Sequence, residues 1–166
     1  MQDKSYLRTL IDFNAWANEE MYQKVSELPP EEVKKERPTP LVSIYVSLHH
    51  LWNVDVMWMG HMTGQTHDYK TLRDVKIEEF DDLWAARKVM DKTLQDYVDG
   101  LSAEEMEEIV DYELLGGNTG SMSRVMCLTH LAMHGAYHRG WISDMFGQAG
   151  AQQPSIDIPV YERAPR

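Results

Sequence analysis

Cysteine is nearly absent. Cys127 is the single one among 166 residues, which excludes an internal disulfide framework and suits a reducing compartment. Positive charge is scarce too: 16 Lys and Arg against 27 Asp and Glu give a formal net charge of −11. Nucleic-acid binding is dominated by phosphate neutralisation, so this balance argues against a nucleic-acid partner. It argues equally against an anionic membrane surface, and the acidity is best read as solvated helix faces. Hydrophobic runs are short, none approaching the roughly 18 residues of a membrane span. The opening "MQDKSYLRTL" is polar and helical in pattern, unlike a secretory signal, so a cytoplasmic protein is expected. A phosphate-cradling glycine loop, a Ser-His-Asp order and a CxxC pair are all missing.

What is present is helical periodicity. The length suits one domain, 1–166, with a real buried core. Four long segments carry apolar residues at i, i+3 and i+4 spacing. The first, about 4 to 27, places Leu7, Leu10, Ile11, Asn14, Ala17, Met21 and Val25 on one face and ends at Pro29-Pro30. The second, about 42 to 62, is apolar nearly all round, which predicts a central helix. The third, about 77 to 99, runs from Ile77 and Phe80 to Tyr97 and stops at Gly100. Ser102 with Glu105 forms a capping-box pattern for a brief helical turn, and "IVDYELLGGNTG" reads as a hairpin-like excursion closed by glycines. The fourth helix, about 121 to 147, takes Ser121 or Ser123 as its N-cap, and a tail rich in Pro and Gln follows on the surface. The expected fold is all-α: a four-helix bundle whose long connections imply one or two crossovers.

"THLAMHGAYHRG", residues 129–140, sets His130, His134 and His138 four apart on one helical stripe. An i, i+4 pair projects two rings from adjacent turns, about 6 Å apart at their base. One ion bound at about 2.0–2.1 Å from each imidazole nitrogen bridges such a pair. Three in a row cannot serve one ion, because His130 and His138 sit about 12 Å apart by helix rise. A third ligand must come from another helix, and the second helix offers His49 and His50. His50 shares a face with Val46, Ser47, Val54 and Met57, and His49 lies about 100° away. Both faces are largely apolar, so periodicity leaves that choice open.

The motifs together resemble the DinB-like (damage-inducible) family of the DinB/YfiT metal-binding four-helix-bundle superfamily. The resemblance runs over nearly the whole chain. It rests on "FNAWANEEM" at 13–21, "HLWNVDVMW" at 50–58, "HGAYHRG" at 134–140 and "QQPSIDIPVYER" at 152–163. It implies that His50, His134 and His138 hold a divalent metal ion, zinc or nickel, and that His49 and His130 are spectators. Where the family often has Gln after His-Arg-Gly, this chain has Trp141, a change to the pocket wall and not to the ligand set. The resemblance also implies a homodimer.

Three histidines with an open coordination position form a catalytic pattern. That position can activate water or accept a thiolate. The wider superfamily includes transferases and isomerases that use small cellular thiols such as bacillithiol or mycothiol. The leading expectation is therefore a metal-dependent enzyme transferring a low-molecular-weight thiol to a small-molecule substrate, or activating water. A non-catalytic metal- or ligand-binding stress-response protein is the alternative. A purely structural helical dimer is the third reading. Asp55 is expected to bond a neighbour, and Asn14 with Asn18 to make interhelical contacts. Arg139 either pairs with a helix carboxylate or anchors an anionic substrate, the former being favoured.

Overall fold

A computed structural model describes residues 4–71 and 73–165. In chain order the elements are α1 (Lys4–Ser26), α2 (Pro30–Lys34), α3 (Ile44–Thr63), α4 (Phe80–Gly100), α5 (Ala103–Glu107), β1 (Ile109–Glu113), β2 (Thr119–Ser123), α6 (Arg124–Gln148) and α7 (Ile158–Tyr161). Four of these are long, and they make the expected all-α bundle with one small antiparallel hairpin, in which Val110 pairs with Met122 and Asp111 with Ser121.

The long helices pack in a ring. α1 contacts α4 and α6, and α3 contacts the same two. Chain neighbours α1 and α3 therefore sit diagonally, as do α4 and α6. Both of their connections cross the bundle, which accounts for their length.

Local chemistry sets most boundaries. Ser43 caps α3, its hydroxyl accepting from the Val46 N–H, and Gly64 ends that helix in the left-handed region at φ 72. Ser102 and Glu105 form the reciprocal capping box of α5. Three boundaries differ from the periodicity. The connection after α1 contains α2, started by Pro30 in the first helical turn, where its missing N–H costs nothing. α4 begins at Phe80, because Ile77 belongs to the preceding loop and its carbonyl accepts from the Tyr45 hydroxyl at 2.8 Å. Residues 121–123 close the hairpin instead of opening α6, so Ser123 is the N-cap.

α3 is the central helix, with 14 of its 20 residues buried. The apolar core falls into two clusters. One holds Leu7, Ile11, Val54, Trp58, Leu94, Val98, Leu128 and Leu131. The other holds Met21, Val25, Leu48, Leu51, Leu83, Ile142 and Phe146. Between them lies a buried polar layer to which every long helix contributes: Asn14 and Asn18 of α1, His50 and Asp55 of α3, Arg87 and Asp91 of α4, and His138 and Arg139 of α6.

Candidate metal centre

α3 and α6 lie side by side, and their polar segments meet in that layer. The Nε2 atoms of His50 and His134 are 3.2 Å apart, and those of His50 and His138 are also 3.2 Å apart. One ligand atom from each of the three lies within 4.8 Å of the others. Two nitrogens at about 2.0–2.1 Å from one ion, at a tetrahedral angle, are separated by about 3.3–3.4 Å. The donor set therefore fits a divalent ion. Where none of these three ring nitrogens carries the proton, their lone pairs are opposed in a largely buried space, and a cation resolves that conflict.

Burial is the main force on these rings. It holds His134 down at about 3, with the neighbouring imidazoles adding, and His138 at about 4. Both are neutral at pH 7, the form a metal requires. The consequence for acid sensitivity is specific. Two imidazoles of ordinary pKa, about 6.5, would lose about 100-fold in ion affinity between about pH 7.5 and 5.5 from proton competition alone. With both pKa values depressed, these two nitrogens stay unprotonated across that interval. Proton competition at these two ligands should therefore contribute little, so ion affinity measured by titration calorimetry should fall by far less than 100-fold between the two pH values, and a 100-fold loss would contradict the burial account.

The other histidines occupy different places. His49 is fully buried, and its Nδ1 donates to the Tyr45 carbonyl at 3.1 Å. His130 packs between the rings of Trp58 and His134, with centroids at 5.1 and 5.5 Å, outside the convergent group. Cys127 is buried, which pushes its thiol pKa up and makes it a poor ligand or nucleophile. On the other side of the centre, Trp141 and Tyr137 pack on His138 with centroids at 4.8 and 5.1 Å and on each other at 5.1 Å. Tyr137 is exposed, so these two rings form an aromatic wall from the centre to the surface. A separate cleft of about 960 Å³ between α1, α6 and the tail is lined by Leu10, Phe13, Ala136 and Arg139, and by none of the three histidines.

Arg139 makes no direct ion pair with a helix carboxylate, the role favoured for it. It is buried, and its Nη1 donates to Asn14 Oδ1 and Asn18 Oδ1, each at 2.7 Å. It reaches a carboxylate only through Asn18, whose Nδ2 donates to Asp91 Oδ1 at 2.9 Å. Burial lowers its pKa to about 10, which leaves it cationic at neutral pH. Asp55 pairs with Arg87 at 2.6 Å, and Arg87 also contacts Asp91 at 3.0 Å. Burial raises both acids, Asp91 to about 6, while Arg87 pulls them down.

Arg87 and Asp91 escape a reading of apolar periodicity. Their signal is an interrupted stripe: Leu83, Arg87, Asp91, Leu94 and Val98 recur at spacings of four, four, three and four on α4.

A helical bundle with three histidine nitrogens converging between two of its helices defines a class: an all-α protein with a site suited to a divalent ion. A sequence profile of the DinB family matches residues 1–166, and the chain belongs to that family. It is 27% identical to Protein DinB of Bacillus subtilis (strain 168) over 164 residues, covering 92% of this chain and 91% of that one. Its fold is similar to the crystal structure of a DinB-like protein from Bacillus cereus ATCC 10987. There the TM-score is 0.61 at 16% identity, over 84% of this chain and 89% of the other. Among the described residues no helix is long and apolar enough to cross a membrane.

Proposed function

We propose that this protein is a metal-dependent enzyme that joins a low-molecular-weight thiol to a small electrophile, with His50, His134 and His138 as the ligands of one divalent ion, zinc or nickel. The observation that carries this reading is the convergence of the three Nε2 atoms in a layer otherwise closed by apolar clusters. Held by these three neutral imidazoles, a divalent ion would supply undiminished positive charge, which favours the thiolate over the thiol, or hydroxide over water.

The chain's own groups do the rest. The three imidazoles would hold the ion, and the apolar clusters flanking the polar layer would keep water from reaching it through the core. Tyr137 and Trp141, their rings tilted against each other, offer an aromatic wall for the electrophile. In the reaction a sulfur–carbon bond forms, the leaving group departs with its bonding pair, and the thiol proton goes to solvent.

The test is conjugation of a chromogenic electrophile to bacillithiol, glutathione and similar thiols, comparing metal-loaded protein with His138→Ala. A metal-dependent rate with at least one thiol is expected. Rates equal to the variant's for every thiol would remove the transferase reading and leave water activation and a non-catalytic binding protein.

A homodimer belongs to the same proposal. Exposed Met126 and Met133 on α6 and Tyr6 on α1 supply apolar surface for a second copy. Light scattering at micromolar concentration should give twice the chain mass, and a monomer would count against assembly while leaving the metal site untouched.

A further inference from the structure

The two helices that carry no histidine of the triad still reach both helices that do. Starting from α3, Asp55 Oδ2 meets Arg87 Nη1 of α4 at 2.6 Å, and Arg87 Nη2 meets Asp91 Oδ1 at 3.0 Å. Asn18 of α1 donates to the same Asp91 oxygen at 2.9 Å. Arg139 of α6 donates to Asn18 and Asn14, both at 2.7 Å. The path runs α3, α4, α1, α6, and the three histidines join α6 back to α3 directly. Every member of the path from Asp55 to Arg139 is buried, and its two guanidinium groups and two carboxylates balance in charge, Arg87 meeting both acids directly.

Two further features tie this path to the ligands. Arg139 directly follows His138, so a rotation of α6 that breaks its bonds to α1 also turns the imidazole. Gly135 directly follows His134, and a Cβ there would lie 2.4 Å from Asn14 Oδ1 and 2.8 Å from Arg139 Nη1. Both contacts are far inside ordinary van der Waals distance. The glycine between the two ligand turns is what lets the guanidinium and the amide meet.

We infer that Asn14 and Asn18 are positioning residues for the metal centre, holding Arg139 and with it the rotation of α6 that aims His134 and His138 at His50. The two amides differ in what they must do. Asn14 supplies only an acceptor. Asn18 must accept from Arg139 and donate to Asp91, which no carboxylate does at neutral pH. The inference rests on the reading that the triad holds the ion.

Cobalt(II) titration tests it, following both affinity and the visible ligand-field absorption of the bound ion. Removing a group bonded directly to a metal ligand typically costs about 10- to 100-fold in affinity; Asn14 and Asn18 act one residue further out, through Arg139, so a loss of about 10-fold, with an altered absorption band, is expected for Asn14→Leu and Asn18→Asp. Asn14→Asp should bind near wild type, since an aspartate oxygen accepts from Arg139 whether or not it is ionised. Val98→Ala, a core truncation in α4 remote from the layer, controls for lost stability and should leave affinity and spectrum intact. If Asn18→Asp does not fold, the two Asn14 variants decide alone.

Asn14→Leu binding as tightly as wild type overturns the inference. So does Val98→Ala losing as much affinity as Asn14→Leu, because stability and not orientation would then be the cause. Wild type failing to bind cobalt at all is a different failure, one that sinks the metal reading itself.

Discussion

Replacing His138 with alanine is expected to take the protein from about one bound divalent ion per chain to none detectable, since the i, i+4 chelate is gone and two donors remain of three. His134→Ala should do the same. His50→Ala should weaken binding severely, because its Nε2 is the atom that both α6 histidines face at 3.2 Å. His49→Ala and His130→Ala should retain the ion. His49 is committed to the Tyr45 carbonyl on its own helix, and His130 stacks on Trp58. Elemental analysis of protein purified without a histidine tag measures all five. Full occupancy in both His134→Ala and His138→Ala would eliminate the site. Loss in His49→Ala with retention in His50→Ala would mean that α3 is rotated by about 100° from the orientation described.

The choice between His49 and His50 shows where sequence periodicity stops. α3 is buried nearly all round, and the two residues are 0% and 3% exposed. A helix with no solvent face carries no amphipathic signal to orient it, so only the resemblance to the family selected His50. The helices themselves were legible because Pro29-Pro30 and Gly100 interrupt otherwise regular apolar spacing. Ile77 fits the helical spacing yet lies in the loop before α4 for a related reason. A loop residue that packs on the core satisfies the same i, i+3 pattern as a helix turn, and periodicity records burial without recording backbone shape. The partners of Arg139 were legible only as a face, Asn14 with Asn18. Their connection to Asp91 and Arg87 needs the third dimension, because α4 is rich in exposed charge (Asp81, Lys88, Lys92, Asp96) and two buried charges do not stand out among it.

Those two buried charges carry the largest stability effect expected of a single substitution. Arg87→Met removes the group that faces both Asp55 and Asp91 at 2.6 and 3.0 Å. The side chain is replaced by one of similar length, so packing is largely kept while two buried acids lose their counter-ion. Breaking a buried pair in this way costs about 3–5 kcal/mol. Arg139 cannot substitute, since Asn18 stands between it and Asp91. The cost should also depend on pH, with a definite sign. Burial already pushes Asp91 up to about 6 against the pull of Arg87, and without that pull both acids titrate higher still. Their folded pKa values then exceed the unfolded value of about 3.9. As pH rises, the unfolded chain releases these protons first, so the variant loses stability with rising pH and regains it on acidification. Urea unfolding of wild type and Arg87→Met at about pH 7.5 and about pH 5.5 measures the difference at each, and the deficit should be clearly smaller at the lower pH. A deficit that is the same at both values would assign the loss to packing. One below about 1 kcal/mol at pH 7.5 would show that the acids had already found another partner or had been protonated at little cost.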